Sequence, residues 1–124
     1  MESAQSPIPL RRRLEVSVDQ DGGVTVVRAR GELDLAGSPR LAAQLNDVIW
    51  RRCGAVVIDL DVHMVDSTGL AVLLNTLRRL DRAGRPLRIV STQPSVLRAL
   101  GLSRLARELH VTERVDDALA ALAA

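Results

Sequence analysis

The chain has 124 residues, enough for one domain with a real core, and 47% of them are hydrophobic. Trp50 is the sole aromatic residue, so the core must be built from Leu, Val, Ile and Ala, which argues against stacking on single-stranded nucleic acid. All 17 basic residues are Arg, and against 15 acids they leave a net charge of +2, too little to indicate a polyanion partner.

Cys53 is the single cysteine, which rules out an internal disulfide and allows a reducing compartment. No apolar run approaches the ~20 residues of a membrane span, and the N-terminus shows no signal-peptide core, so a cytoplasmic protein is expected.

Residues 1–13, MESAQSPIPLRRR, read as a flexible arm before a domain spanning 14–124. Its Arg11–Arg13 run is either a solvated tail or a contact for an acidic partner. LEVSVDQDGGVTVVRARGELD (14–34) alternates apolar and polar residues. Leu14, Val16 and Val18 share one face, Val24 and Val26 one face of the return strand, and Asp21-Gly22-Gly23 makes the turn of a β-hairpin. SPRLAAQLNDVIWRR (38–52) has the period of a helix, with Ser38 as its cap, Pro39 in the first turn, and Leu41, Leu45, Val48 and Ile49 on one stripe. Trp50 falls off that stripe, on a partly covered flank or a contact surface.

GAVVIDLDV (54–62) is a β-branched apolar run, read as a central strand buried on both sides. TGLAVLLNTLRRLDRAG (68–84) is a second helix, turning Leu70, Leu73, Leu74, Leu77 and Leu80 inward and stopping at Gly84. A strand follows at 86–92. Residues 94–105 form a helix interrupted near Gly101, 108–112 a short strand, and 113–124 a closing helix with acids in its first turn. The order ββαβαβαβα predicts an α/β domain with a mostly parallel sheet, an N-terminal antiparallel hairpin and about four helices.

Signals for catalysis are weak. Ser67 lacks the glycine frame of a nucleophile elbow, and His63 and His110 have no recognisable setting as its base. Two distant His and one Cys make no zinc spacing, and no phosphate-binding glycine loop is present. Asp59 and Asp61 share a side of their strand, as a solvated strand end or a Mg²⁺ site, the former being the simpler reading.

The segment VDSTGL (65–70) joins the central strand to the second helix. Asp66 or Ser67 suits the N-cap, and Gly69 leaves the helix start open to close approach by a partner. Three capping-type residues in a row, on a loop at the carboxyl end of a central strand, exceed what a cap requires. With ordinary helical φ/ψ at Gly69, Gly69→Ala is expected to cost little stability, because Ala is the better helix former.

MVDSTGLAVLL (64–74) resembles the signature of STAS domains, especially bacterial anti-sigma factor antagonists, whose loop commonly reads Asp-Ser-Ser/Thr-Gly-Leu. RGELDLAGSPRL (30–41), VVIDLDVHMVDSTG (56–69), LRALGLSRL (97–105) and HVTERVDDALAAL (110–122) extend the likeness over residues 14–122. Thr68 stands where Ser is frequent and Ala71 where Gly is frequent.

The resemblance implies a non-enzyme without cofactor or metal, monomeric or weakly dimeric. Its expected partners are an anti-sigma factor with serine kinase activity and a serine phosphatase, with no nucleic acid and no membrane insertion. It implies Ser67 as the phosphate acceptor, with Thr68 a second hydroxyl, and Asp34, Asp66, Ser67, Thr68 and Gly69 as partner-binding residues. Two other readings stay open at this level: an unphosphorylated STAS scaffold of a transport or stress-signalling complex, and a small hydrolase using Ser67.

Overall fold

The sheet begins with the hairpin. Strands β1 (Glu15–Asp21) and β2 (Val24–Leu33) pair antiparallel with Asp21 opposite Val24. The two residues left over, Gly22 and Gly23, have φ of 56° and 84°, the left-handed values that a two-residue hairpin turn requires. The computed structural model describes residues 13–102 and 110–123, so Arg11 and Arg12 of the arm lie outside the described residues, and Arg13 is exposed.

From β2 the chain runs through α1 (Ser38–Arg51), β3 (Val56–Val65), α2 (Ser67–Arg82), β4 (Leu87–Val90), α3 (Pro94–Leu102), β5 (Val111–Thr112) and α4 (Val115–Ala123). The five strands among the described residues lie in sequence order, and every pair after the hairpin is parallel. Each new strand adds on the same side of the last, so right-handed crossovers place the intervening helices on one face. The apolar packing agrees: Leu41, Leu45 and Val48 of α1, Leu73 and Leu80 of α2, and Val96 and Leu100 of α3 share a core with Val27, Ala29, Ile58, Leu60 and Val62. On the opposite face α4 covers Val26, Val57 and Val90 through Ala118.

Several boundaries differ from the sequence reading. β3 continues three residues past Val62, and only its first part is apolar on both faces. Asp59 and Asp61 share Val57's face outside the cluster under α4, and each sits opposite an arginine in register on β2. Arg28 Nε is 3.5 Å from Asp59 Oδ2, and Arg30 Nε is 3.6 Å from Asp61 Oδ2. Both carboxylates are thus in ion pairs.

α3 includes Gly101 and its described part reaches Leu102; the rest of the expected helix, residues 103–105, and the start of the expected strand, residues 108 and 109, lie outside the described residues. α2 ends at Arg82, where Gly84 N–H donates to Asp81 O (3.0 Å) and Arg85 N–H to Leu80 O (2.9 Å), the paired bonds of a Schellman stop. Trp50 is 77% exposed, clear of any covering flank. No helix among the described residues is long and apolar enough to cross a membrane.

Burial pushes the Asp59 carboxyl up, Arg28 pulls it down, and the net position is above the usual value. A raised folded value means that Asp59 favours the folded state most when protonated, below its unfolded pKa of about 3.9, and loses that contribution as pH rises through the folded value. Asp59→Asn should therefore unfold in urea at pH 7 no earlier than the wild type, with the two chains converging by about pH 3. A clear loss of stability at pH 7 would show that the Arg28 pair outweighs burial.

Candidate functional site

The carboxyl end of β2, the start of α1 and the β3–α2 joint meet at one corner of the sheet. A register shift between Gly31 and Leu33 bends β2 there, and Leu33 O accepts the Asp66 N–H at 3.1 Å. That bond ties the joint to the neighbouring strand.

Asp66 is the N-cap of α2, with extended backbone (φ −98°, ψ −173°). Its Oδ1 accepts from the N–H groups of Thr68 and Gly69, each at 3.0 Å, and from the Thr68 hydroxyl. Burial by itself raises this carboxyl's pKa. The Thr68 hydroxyl and the N–H groups of Gly69, Thr68 and Leu35 outweigh burial and hold it below the usual carboxylate range.

Ser67 follows as the first residue of α2. It is exposed, and its hydroxyl makes no hydrogen bond among the described residues. Thr68 is half-buried and its hydroxyl is engaged on two sides, by Asp66 and by Ser38 Oγ at 3.1 Å. The two adjacent hydroxyls are thus chemically different.

Asp34 lies on the adjacent loop, but its carboxylate is not displayed. It is only 9% exposed, its Oδ1 accepts the Gly37 N–H at 2.8 Å, and its carbonyl accepts the Ser38 N–H at 2.8 Å. Asp34 closes the turn into α1. What this loop shows to solvent is Leu35, 72% exposed.

Gly69 corrects the sequence reading. It is buried, and an added Cβ would stand 2.7 Å from Leu33 Cγ, 2.9 Å from Leu33 O and 3.0 Å from Val65 Cγ1. The close approach is made by the protein's own β2, so the glycine seats α2 on the sheet and offers no opening to a partner. Its φ is not in the left-handed region.

Ser38 is the second correction. The N-cap of α1 is Gly37, with no side-chain cap bond, and Ser38 is the first helical residue. Freed from capping, its hydroxyl reaches Thr68, thirty positions away. Sequence offers one signal for this, a capping-type residue immediately after a glycine that can itself start the helix.

Nothing here forms a hydrolytic triad. By strand alternation His63 points to the face of Asp59 and Asp61, opposite the one on which α2 packs. Among the described residues Ser67 has no base hydrogen-bonded to it. Among the described residues no three His, Cys, Asp or Glu are placed to hold a metal ion.

The STAS domain family model matches residues 15–118, and the chain belongs to that family. An anti-sigma F factor antagonist from Paenibacillus polymyxa is 30% identical over 111 residues, spanning 88% of this chain and 95% of the relative. The crystal structure of an anti-sigma factor antagonist from Mycobacterium paratuberculosis matches with a TM-score of 0.84 at 29% identity, covering 90% of this chain and 95% of that one. The Bacillus cell fate determinant SpoIIAA in its phosphorylated form shares the fold, with a TM-score of 0.67 at 16% identity over 89% of this chain and 100% of that one.

Two stability measurements check the joint. Gly69→Ala forces a methyl group against backbone as well as side chain, and overpacking of this kind costs about 1–3 kcal/mol. Its urea midpoint should fall accordingly, and an unchanged midpoint would mean that β2 gives way at no cost. Asp66→Ala should lose about 0.5–2 kcal/mol at pH 7, the worth of an N-cap. Because the Asp66 pKa is lowered in the folded state, this contribution is complete above the unfolded value of about 3.9 and disappears as pH falls through the folded value. The gap between Asp66→Ala and wild type should therefore close in acid, and a gap independent of pH would assign the loss to something other than the ionised cap.

Proposed function

We propose that this protein is an anti-sigma factor antagonist that binds an anti-sigma factor with serine kinase activity, frees the sigma factor, and is switched off when that partner phosphorylates Ser67. A serine phosphatase resets it. The observation that carries this reading is the contrast at the joint: Ser67 presents an exposed, unbonded hydroxyl at the first position of α2, while Thr68 is held by Asp66 and Ser38. The names of the relatives support the role, and a fold relative solved in a phosphorylated form supports the modification. On this reading residues 1–13 are an arm outside the STAS domain, and the protein acts in the cytoplasm as a monomer or weak dimer, itself a substrate and not an enzyme.

The geometry suits a switch that leaves the fold intact. A phosphate brings about −1.5 to −2 charges. At the first position of a sixteen-residue helix it meets free N–H groups and the positive end of the dipole, which favour an anion. A docked partner is affected differently. The dianion would have to be desolvated beside the Asp66 carboxylate and the exposed side chain of Leu35. A penalty of ~4 kcal/mol weakens binding about a thousandfold. With Asp34 buried, desolvation and Asp66 supply this penalty.

Incubation with the cognate kinase and ATP, followed by mapping of residues 64–79, should place the phosphate on Ser67, and Ser67→Ala should lose it. Ser67→Asp should keep the wild-type circular dichroism and melting temperature while its affinity for the partner, measured by calorimetry, drops about tenfold, less than for phosphate because Asp carries a smaller charge. Phosphate on Thr68 alone, or undiminished affinity of Ser67→Asp, contradicts the reading.

A further inference from the structure

We propose that Ser38 is a positioning residue that holds Thr68 out of phosphoryl transfer and so directs the phosphate to Ser67. The inference rests on the reading of this joint as a kinase substrate.

In the transfer, the acceptor oxygen bonds the γ-phosphorus of ATP as the bond to the β–γ bridging oxygen breaks. ADP leaves, and the hydroxyl proton passes to a base of the kinase. The acceptor therefore needs an accessible oxygen with a lone pair to aim at phosphorus.

Thr68 has a hydroxyl one residue from Ser67 and is the chemically obvious competitor. Its single proton is committed to Asp66 Oδ1. The contact of 3.1 Å between the Thr68 and Ser38 hydroxyls must then be donated by Ser38, which places Ser38's proton on a Thr68 lone pair. Ser38 itself has little room to leave: it is 4% exposed, its N–H donates to Asp34 O at 2.8 Å, and Pro39 follows it. The Thr68 oxygen is thus turned into the seam between α1 and α2, with its proton on Asp66 and one of its two lone pairs taken by Ser38. Ser67 has neither restraint.

The mechanism is distinct from capping. Asp66 caps α2 with or without Ser38, because the two capping N–H bonds do not involve α1. Loss of Ser38 should free the side of the Thr68 oxygen that faces α1, and with it the rotation of that hydroxyl, while the helix start stays formed.

The test uses the full chain, the cognate kinase and ATP, with the initial rate of phosphothreonine formation at position 68 read by mass spectrometry. In a Ser67→Ala background, adding Ser38→Ala should raise that rate roughly two- to tenfold, the range set by one net hydrogen bond. Ser38→Cys, close in size but with only a weak thiol donor, should act in the same direction and serves if Ser38→Ala folds poorly. Val48→Ala in the same background loosens α1 by a core cavity while leaving the Ser38 hydroxyl in place, and should not raise the rate.

Equal Thr68 rates with and without Ser38, or the same rise from Val48→Ala, overturns the assignment. The wild-type chain separates this failure from that of the underlying reading. Phosphate on Ser67 without any effect of Ser38 removes only the positioning role, whereas phosphate on neither residue removes both.

Discussion

One carboxylate oxygen organises this corner of the molecule. A helix start leaves backbone N–H groups without intrahelical partners, and in α2 Asp66 Oδ1 takes those of Thr68 and Gly69 and the Thr68 hydroxyl as well. Asp66's own N–H goes to Leu33 O, so the cap is fastened to β2 as well as to its helix. A residue in this position does two jobs at once. It begins α2 in the right place, and by binding Thr68 it leaves Ser67 as the hydroxyl that faces water.

The packing beneath the cap makes the joint stiff. Gly69 lies against Leu33 and Val65 with no space for a methyl group, and Leu73 and Leu80 carry the same helix into the core. α1 starts beside it, bound through Ser38 to Thr68. Two helix N-termini therefore point towards one small region, and both favour negative charge there. A loop so constrained is poorly suited to large rearrangement. On the proposed reading its signal is carried by what stands on the surface, a hydroxyl or a phosphate, at nearly constant backbone geometry.

Much of this was legible in the chain because the physics involved is local. Alternation and the Gly22-Gly23 turn define the hairpin, the leucine spacing defines α2, and the VDSTGL segment marks the joint with Asp66 as one of two possible caps. What escaped was set through space. The sequence pattern of Asp59 and Asp61 says that they share a face, but not that Arg28 and Arg30 lie opposite them on β2. Gly69 looks like an opening until the bend in β2 brings Leu33 against it. Asp34 has the composition of a surface acid and is drawn inward by the Gly37 N–H. Ser38 has the composition of a cap and is released from that task by Gly37. In each case the deciding neighbour sits on another element or in a turn whose shape the residue types alone do not specify.

The different fates of Ser67 and Thr68 follow from helix geometry and the position of one neighbouring helix. Successive residues of an α-helix point about 100° apart, since 3.6 of them complete a turn. If the second residue of α2 faces α1, the first must face elsewhere, and at the rim of the sheet that direction is solvent. A pair of hydroxyl residues at such a helix start cannot present both side chains equally. Which one is open is then decided by where α1 lies against α2, and that is fixed by the core contacts of Leu41, Leu45, Leu73 and Leu80 beneath the joint. The accessible hydroxyl is in this sense a product of the core, expressed at the surface through Ser38, Thr68 and Asp66.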